Sequence, residues 1–136
     1  MISFQFNDGG LFRSGYRESM DCTVRAVAIA AGKDYKTAHD ILKSVGRKNK
    51  CRINFALNAD RIANYAGITL RLVKRSGTLN KLIRLYPKGK LIVRVPGHVF
   101  ALTDGTVHDT YRQSGLRRIR HAWVVEAGKP EVQVPS

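Results

Sequence analysis

With 136 residues, the chain is long enough for one domain with a single hydrophobic core and too short for two. Hydrophobic residues make up 43% of it and charged residues 25%, a globular balance that argues against wholesale disorder. The 24 lysines and arginines outnumber the 10 acids, and the resulting net charge of +14 would attract nucleic acid, an anionic membrane or an acidic protein.

The first half of the chain reads as one short strand followed by three helices. Residues 1–6 alternate between apolar and polar side chains, as an edge strand does, and the glycines at 9–10 predict a turn. A helix over residues 22–31 follows, with Asp21 as its N-cap and Gly32 at its end. Its side chains are apolar almost all round, which predicts a place in the core. Two amphipathic helices come next, begun by Asp34 and Asn54 and ended by Gly46 and Gly67.

The second half changes from a helical to a strand-like pattern. Strands are predicted over residues 68–74, 91–95, 98–103, 106–111 and 119–125. A short helix capped by Thr78 is expected between the first two. Helices first and strands later predict an α+β fold, in which N-terminal helices cover one face of a C-terminal antiparallel sheet. We expect one domain over residues 1–127 and a loose tail over 128–136.

Asp104 and Gly105 stand between two alternating runs, which is a strong signal for a two-residue hairpin turn. With these residues as the turn, strand alternation puts His98 and Asp109 on one face as diagonal neighbours, and His108 on the other face. A carboxylate in that position can orient an imidazole ring. A shift of one residue in the strand pairing would exchange Asp109 for His108, so this prediction depends on the register.

Cys22 lies in the first turn of the apolar helix, where free N–H groups and the helix dipole favour a thiolate. A helix N-terminus and a protonated histidine can lower a cysteine pKa from about 8.5 to roughly 3.5–7.5. Cys22, His98 and Asp109 together indicate nucleophilic catalysis, in which the thiolate attacks a carbonyl, the histidine transfers the proton and the aspartate holds the ring. The alternative is that Cys22 is a small core residue and His98 an ordinary strand residue.

Several segments resemble a family of small phage and prophage proteins, and the similarity covers nearly the whole chain. They are NDGG at 7–10, GY at 15–16, DCTVRAVAIA at 21–30, Tyr35, LIVRV at 91–95, GH at 97–98, Ala101, DG at 104–105 and VHDT at 107–110. Members look like compact papain-like cysteine peptidases, similar in architecture to the bacteriocin-processing peptidases that cut after double-glycine leaders. The resemblance implies that Cys22 is the nucleophile, His98 the base and Asp109 its orienting partner, with a host or phage protein as substrate.

One feature departs from the papain-like pattern. Such enzymes generally carry an oxyanion-hole glutamine a few residues before the cysteine, and the four residues before Asp21 include none. Asn7, beside the flexible glycine turn, is the candidate donor, with an ordinary Asx-turn as its alternative role. Arg25, one turn into the helix, is a candidate cleft residue that would bind a substrate carboxylate or pair with Asp8, itself a candidate cleft residue. The alternative role of Arg25 is a structural ion pair. Gly97 is expected at the edge of the same cleft.

The positive charge suggests a second function. A basic surface is predicted from Arg47, Lys48, Lys50, Arg52, Arg117, Arg118 and Arg120. The first hypothesis is a cysteine hydrolase, meaning a peptidase, an amide or thioester hydrolase, or an acyl transferase. The alternative is a non-catalytic papain-like scaffold whose basic surface binds nucleic acid or an acidic host protein.

Cofactors and membrane contacts are not expected. The two cysteines and four histidines show no zinc-type spacing, so no metal is predicted, and Cys51 is interpreted as a bystander. No apolar run reaches membrane-spanning length, and the first residues lack the features of a signal peptide. We therefore expect a cytoplasmic protein of the bacterial host cell, with association with the virion as an alternative.

Overall fold

The structure is a computed structural model that describes residues 2–74 and 76–127, and these residues form a single α+β domain. Within them, five helices and six strands follow one another along the chain. In order they are β1 (Ser3–Phe6), α1 (Leu11–Ser14), α2 (Cys22–Ala31), α3 (Tyr35–Ser44), α4 (Phe55–Ala66), β2 (Ile68–Lys74), α5 (Leu79–Leu85), β3 (Lys90–Val95), β4 (His98–Thr103), β5 (Thr106–Asp109) and β6 (His121–Ala127). The predicted tail, residues 128–136, lies outside the described residues. None of the described helices combines the length and the apolar character that crossing a lipid bilayer requires.

The first turns of α3 and α4 are capped by the side chains that the sequence predicts. Asp34 and Asn54 each accept a hydrogen bond from the backbone N–H group three residues later, at 2.7 and 3.0 Å. Asp21 precedes α2 in the same way, but its side chain does not cap that helix. The predicted cap was wrong because the Asp21 carboxylate is instead bonded by Arg25 and Tyr35.

The six strands form one sheet in the order β1-β5-β4-β3-β6-β2. Every neighbouring pair is antiparallel except β1 and β5, which run parallel. The C-terminal strands thus pair antiparallel, as the sequence predicts, and the addition of β1 at the edge makes the sheet mixed. A short alternating segment indicates a strand but not the direction of its partner, and β1 pairs with a strand far away in the chain.

The β4–β5 hairpin has the predicted register. Thr103 lies opposite Thr106, which leaves the two expected residues as the turn between them. β5 ends at Asp109, and residues 110–111, which were expected to continue the strand, lie beyond it. The register places Asp109 on the same face of the sheet as His98, as the hairpin signal predicts.

Helices pack on both faces of the sheet rather than on one. The helices α2, α3 and α4 cover the face to which Val99 and Ala101 of β4 belong. α5 covers the other face, where Leu79 and Leu82 pack in one cluster with Phe100. The prediction of a single covered face was wrong because the central strands β3 and β4 are apolar on both sides and need cover on each.

Gly9 sets the close approach between the N-terminal turn and α2. Its φ is +69°, in the left-handed region, and a side chain there would lie 2.9 Å from the Cα atom of Arg25. Gly9→Ala is therefore expected to destabilise the fold by about 2–4 kcal/mol, because backbone strain adds to a forced displacement of the helix. Denaturant-induced unfolding followed by circular dichroism measures the loss.

Gly15→Ala is the control for this prediction. Gly15 is also left-handed, with φ +77°, but nothing lies within 4 Å of the position of its missing side chain. Only the conformational cost of about 1–2 kcal/mol is expected there. Equal losses in the two variants would contradict the importance of the close approach at Gly9.

Candidate active site

The start of α2, the segment 52–55 and the β3–β4 turn surround a cleft of about 270 Å³. Cys22 and Thr23 line it from α2, and Gly97 and His98 line it from the turn. The candidate nucleophile and the candidate base therefore face the same open space. Gly97 lies at this cleft, where the sequence analysis expects it.

His98 and Asp109 form a short hydrogen bond across the β4–β5 hairpin. His98 Nε2 lies 2.6 Å from Asp109 Oδ2, and both side chains are largely buried. Asp109 also accepts a hydrogen bond from the Thr110 backbone N–H at 2.7 Å, and the Gln113 amide lies 3.4 Å from its second oxygen. The Tyr111 ring stacks on the His98 ring with a centroid distance of 5.0 Å. These contacts fix both the position and the plane of the imidazole.

The bond to Asp109 uses Nε2 of His98 and leaves Nδ1 for Cys22. The Cys22 thiol is hydrogen-bonded to the His98 ring and to the backbone of Val99. This contact joins the two faces of the sheet, since His98 lies on the face that α5 covers whereas α2 packs on the opposite face. It is possible because His98 is the first residue of β4, at the end of the sheet, where no further strand backbone separates the ring from the start of α2.

The electrostatics of the pair favour a thiolate beside an imidazolium. Burial works against ionisation of Cys22, but the hydrogen bond and charge of His98 outweigh it and lower the pKa of the thiol. Burial also disfavours the charged form of His98, yet Asp109 and Cys22 together raise its pKa to about 9. Because the two ionisations are coupled, the lowered pKa of Cys22 and the raised pKa of His98 both favour transfer of the proton from sulfur to nitrogen.

A buried ion pair beside Cys22 corrects the predicted role of Arg25. Arg25 bonds to Asp21, one helical turn earlier, and not to Asp8. The Tyr35 hydroxyl donates a second hydrogen bond to Asp21 at 2.7 Å. Arg25 does not line the cleft, but its charge adds to that of His98 in lowering the pKa of Cys22. The Asp21 carboxylate, which precedes Cys22 in the chain, is thus neutralised by Arg25 and hydrogen-bonded by Tyr35.

The structure does not bring Asn7 or Asp8 to the cleft. Asn7 Oδ1 accepts a hydrogen bond from the Gly9 backbone at 2.9 Å, and its Nδ2 lies 3.4 Å from His108 Nδ1. Asp8 accepts backbone hydrogen bonds of 2.9 and 3.0 Å at the start of α1. The parallel pairing of β1 with β5 carries this turn to the second half of α2, away from the end where Cys22 lies. Asn7 is therefore withdrawn as the oxyanion donor, and its amide makes the Asx-turn instead.

The cleft is also lined by residues that the sequence did not indicate as site residues, among them Met20, Asn54 and Arg94. Asn54 Oδ1 caps α4, which leaves the Nδ2 group of the same amide as a donor beside the cleft. The sequence identified Asn54 only as a helix cap, because no local pattern places the start of α4 next to α2. Arg94 could have been noticed as a site residue, because it is the single cation within the otherwise apolar run 91–95.

Arg47 does not belong to the basic surface. It is buried, and its guanidinium donates hydrogen bonds of 3.0 and 3.1 Å to the two oxygens of Glu18. The prediction was wrong because the chain after α3 turns inward, where Arg47 neutralises a buried carboxylate. The other predicted members are exposed, and these are Lys48, Lys50, Arg52, Arg117, Arg118 and Arg120. Cys51 is a free, exposed cysteine and does not line the cleft around Cys22.

Comparison with known proteins identifies no relative of this chain. No protein-family model, no curated protein and no solved structure matches the chain. Among the residues that the structure describes, no three histidine, cysteine, aspartate or glutamate side chains are grouped as a metal site would require. The cleft and its side chains are therefore the basis for a functional assignment.

Proposed function

We propose that the protein is a papain-like cysteine hydrolase that cleaves an amide, peptide or thioester bond in a protein or peptide substrate. One observation carries the proposal: Cys22 contacts an imidazole that Asp109 orients, and both groups border an open cleft. A nucleophile at a helix N-terminus, with its base and carboxylate on a neighbouring hairpin, is also what the resemblance to papain-like phage proteins implies. That resemblance makes a phage or host protein the expected substrate.

The proposed reaction begins when the Cys22 thiolate attacks the carbonyl carbon, whose oxygen becomes an oxyanion. The backbone N–H of Cys22, at the start of α2, and the Nδ2 group of Asn54 are the donors proposed to stabilise it. As the C–N or C–S bond breaks, His98 gives its proton to the leaving amine or thiolate, and an acyl-enzyme thioester remains. His98 then takes a proton from water, the hydroxide adds to the thioester, and a carboxylic acid leaves as Cys22 is regenerated. A different acceptor in place of water would make the same site an acyl transferase.

The test is the reactivity of the two cysteines toward iodoacetamide. At pH 6, Cys22 is expected to be alkylated about tenfold faster than Cys51, because its lowered pKa leaves a larger fraction of it as thiolate. His98→Ala is expected to abolish this advantage, because Cys22 then loses its proton acceptor. Mass spectrometry of the peptides measures both rates in one sample, and the free, exposed Cys51 is the internal reference.

His108→Ala is the matched control, since it removes an imidazole from the same hairpin but outside the cleft. This variant is expected to keep the faster alkylation of Cys22. Equally slow alkylation of both cysteines in the wild type would overturn the hydrolase proposal.

A second candidate function rests on the exposed basic residues. Arg52 and Arg117 come from two separate basic segments and meet at one turn of the sheet. They donate hydrogen bonds to consecutive carbonyls there, of Gly97 at 2.6 Å and Pro96 at 2.9 Å. If this surface docks nucleic acid, binding to a DNA duplex is expected to weaken steeply with added salt, because phosphate contacts release counterions. Absence of binding at low ionic strength would exclude nucleic acid and leave an acidic protein as the partner of such a surface.

A further inference from the structure

The cleft around Cys22 is positively charged beyond the imidazole of His98. Arg52 and Arg94 both line it, and none of its described lining residues is an aspartate or a glutamate. Any ligand that enters the cleft therefore meets two arginine side chains in the walls that also carry Cys22. A substrate with a negative charge would be attracted and a cationic one repelled.

Each of these arginines is anchored by one hydrogen bond. Arg52 Nη1 donates to the Gly97 carbonyl at 2.6 Å, and Arg94 Nη1 lies 3.1 Å from His121 Nδ1. Neither takes part in an ion pair within the described residues. The second terminal nitrogen of each guanidinium remains as a donor, in the planar geometry that suits a carboxylate.

Two other arginines among the described residues, one partly and one fully buried, provide a contrast to Arg94. Arg25 and Arg47 are each paired with a carboxylate of the protein, as buried guanidinium groups normally are. Arg94 is half-buried, yet its hydrogen-bond partner is an imidazole and not a carboxylate, although its charge would favour an anion. The carboxylate that would pair with Arg94 is therefore best supplied by a ligand bound in the cleft.

We infer that the substrate carries a carboxylate, which Arg52 and Arg94 bind while Cys22 attacks a nearby carbonyl carbon. The carboxylate is an acidic side chain or the terminal group of a peptide. This inference rests on the proposed hydrolase function and adds its substrate class. The two arginines act as substrate-binding residues and leave the chemistry of Cys22, His98 and Asp109 as described.

The test compares iodoacetate with iodoacetamide as alkylating agents of Cys22. Both reagents transfer a two-carbon group to sulfur and release iodide, but only iodoacetate carries a carboxylate. The ratio of the two rates, divided by the same ratio for the neutral thiol 2-mercaptoethanol, is expected to be about ten for Cys22. Arg94→Gln and Arg52→Gln are each expected to bring this normalised ratio back toward one.

Arg61→Gln is the control for net charge, because Arg61 is exposed on α4 and does not line the cleft. It is expected to leave the ratio unchanged. A ratio that stays high in both cleft variants, or that falls equally in the control, would overturn the inference and assign the preference to the overall charge. A wild-type ratio near one with rapid iodoacetamide labelling would overturn the inference alone. Slow reaction with both reagents would overturn the proposed function as well.

Short alanine peptides then distinguish the two sources of the carboxylate. One peptide carries an internal glutamate with blocked termini, and the other carries a free terminal carboxylate and no acidic side chain. Protection of Cys22 from iodoacetamide by the first supports cleavage beside an acidic residue, and protection by the second supports action near a chain end. Protection by neither at millimolar concentration overturns the inference.

Discussion

Arg47→Met is expected to reduce the free energy of unfolding by about 3–5 kcal/mol, the loss typical of a buried charge left without its partner. Arg47 and Glu18 are buried side chains joined by hydrogen bonds of 3.0 and 3.1 Å. Glu18 also accepts the Lys50 backbone N–H at 2.7 Å and lies 2.6 Å from His39 Nε2. Methionine keeps much of the aliphatic stem but leaves the carboxylate without its main partner. Urea-induced unfolding at pH 7 measures the loss.

Lys36→Met is the matched control for this variant. Lys36 and Asp40 form an ion pair of 3.1 Å in which both side chains are exposed. Its removal is expected to change stability by no more than about 0.5 kcal/mol. Combining Arg47→Met with Glu18→Gln is expected to recover part of the loss, since the unpaired charge is then absent. Similar losses in the Arg47 and Lys36 variants would contradict the role of a buried ion pair.

The same ion pair predicts how stability depends on acid. Burial by itself would raise the pKa of Glu18, but Arg47, His39 and the Lys50 backbone lower it from 4.5 to about 2. A carboxyl whose pKa is lower in the folded than in the unfolded state stabilises the fold above pH 4.5, and this contribution is lost as the pH falls toward 2. The wild type is therefore expected to lose stability over this range more steeply than Arg47→Met.

Asp109→Asn is expected to slow alkylation of Cys22 by iodoacetamide about tenfold at pH 6 and to leave it nearly unchanged at pH 9. Burial by itself would lower the pKa of His98, but Asp109 and Cys22 favour the imidazolium and raise this pKa to about 9 in the wild type. Asparagine keeps the shape of the side chain but not its negative charge, so His98 loses its proton at lower pH and the pKa of Cys22 rises in turn. Fewer molecules then carry the thiolate at pH 6, and the difference shrinks toward pH 9, because alkaline solution ionises a thiol without a neighbouring proton acceptor.

Asp104→Asn is the control, because it makes the same chemical change in the turn of the same hairpin, outside the cleft. Asp104 has φ +48°, a conformation that asparagine also adopts readily. Its alkylation rates are expected to match the wild type at both pH values. A uniform loss at pH 6 and pH 9 in Asp109→Asn would indicate a structural rather than an electrostatic role for Asp109.

Local signals in the sequence predict much of this fold. The caps Asp34 and Asn54, and the turn that precedes Thr106, each depend on a few neighbouring residues, and the structure confirms them. The contact of His98 with Asp109 follows from that turn, since a hairpin register fixes which side chains share a face. Such features are predictable because the interactions that create them lie within a few residues or within one pair of adjacent strands.

Features that depend on distant parts of the chain could not be predicted in the same way. Arg47 lies in a basic run, and only the position of Glu18, which is far from it in sequence, shows that it is buried. Asn7 was expected near Cys22 because the two are close in sequence, whereas strand pairing carries it to another part of α2. The cleft position of Asn54 likewise depends on how α4 packs beside α2.

The division of the site between two elements has a consequence for the newly made chain. His98 and Asp109 belong to one hairpin and meet through short-range contacts, whereas Cys22 joins them only after its helix has docked on the sheet. Until that long-range step is complete, the sulfur lacks the proton acceptor that makes it nucleophilic. The proposed hydrolytic activity would therefore arise only together with the finished tertiary structure.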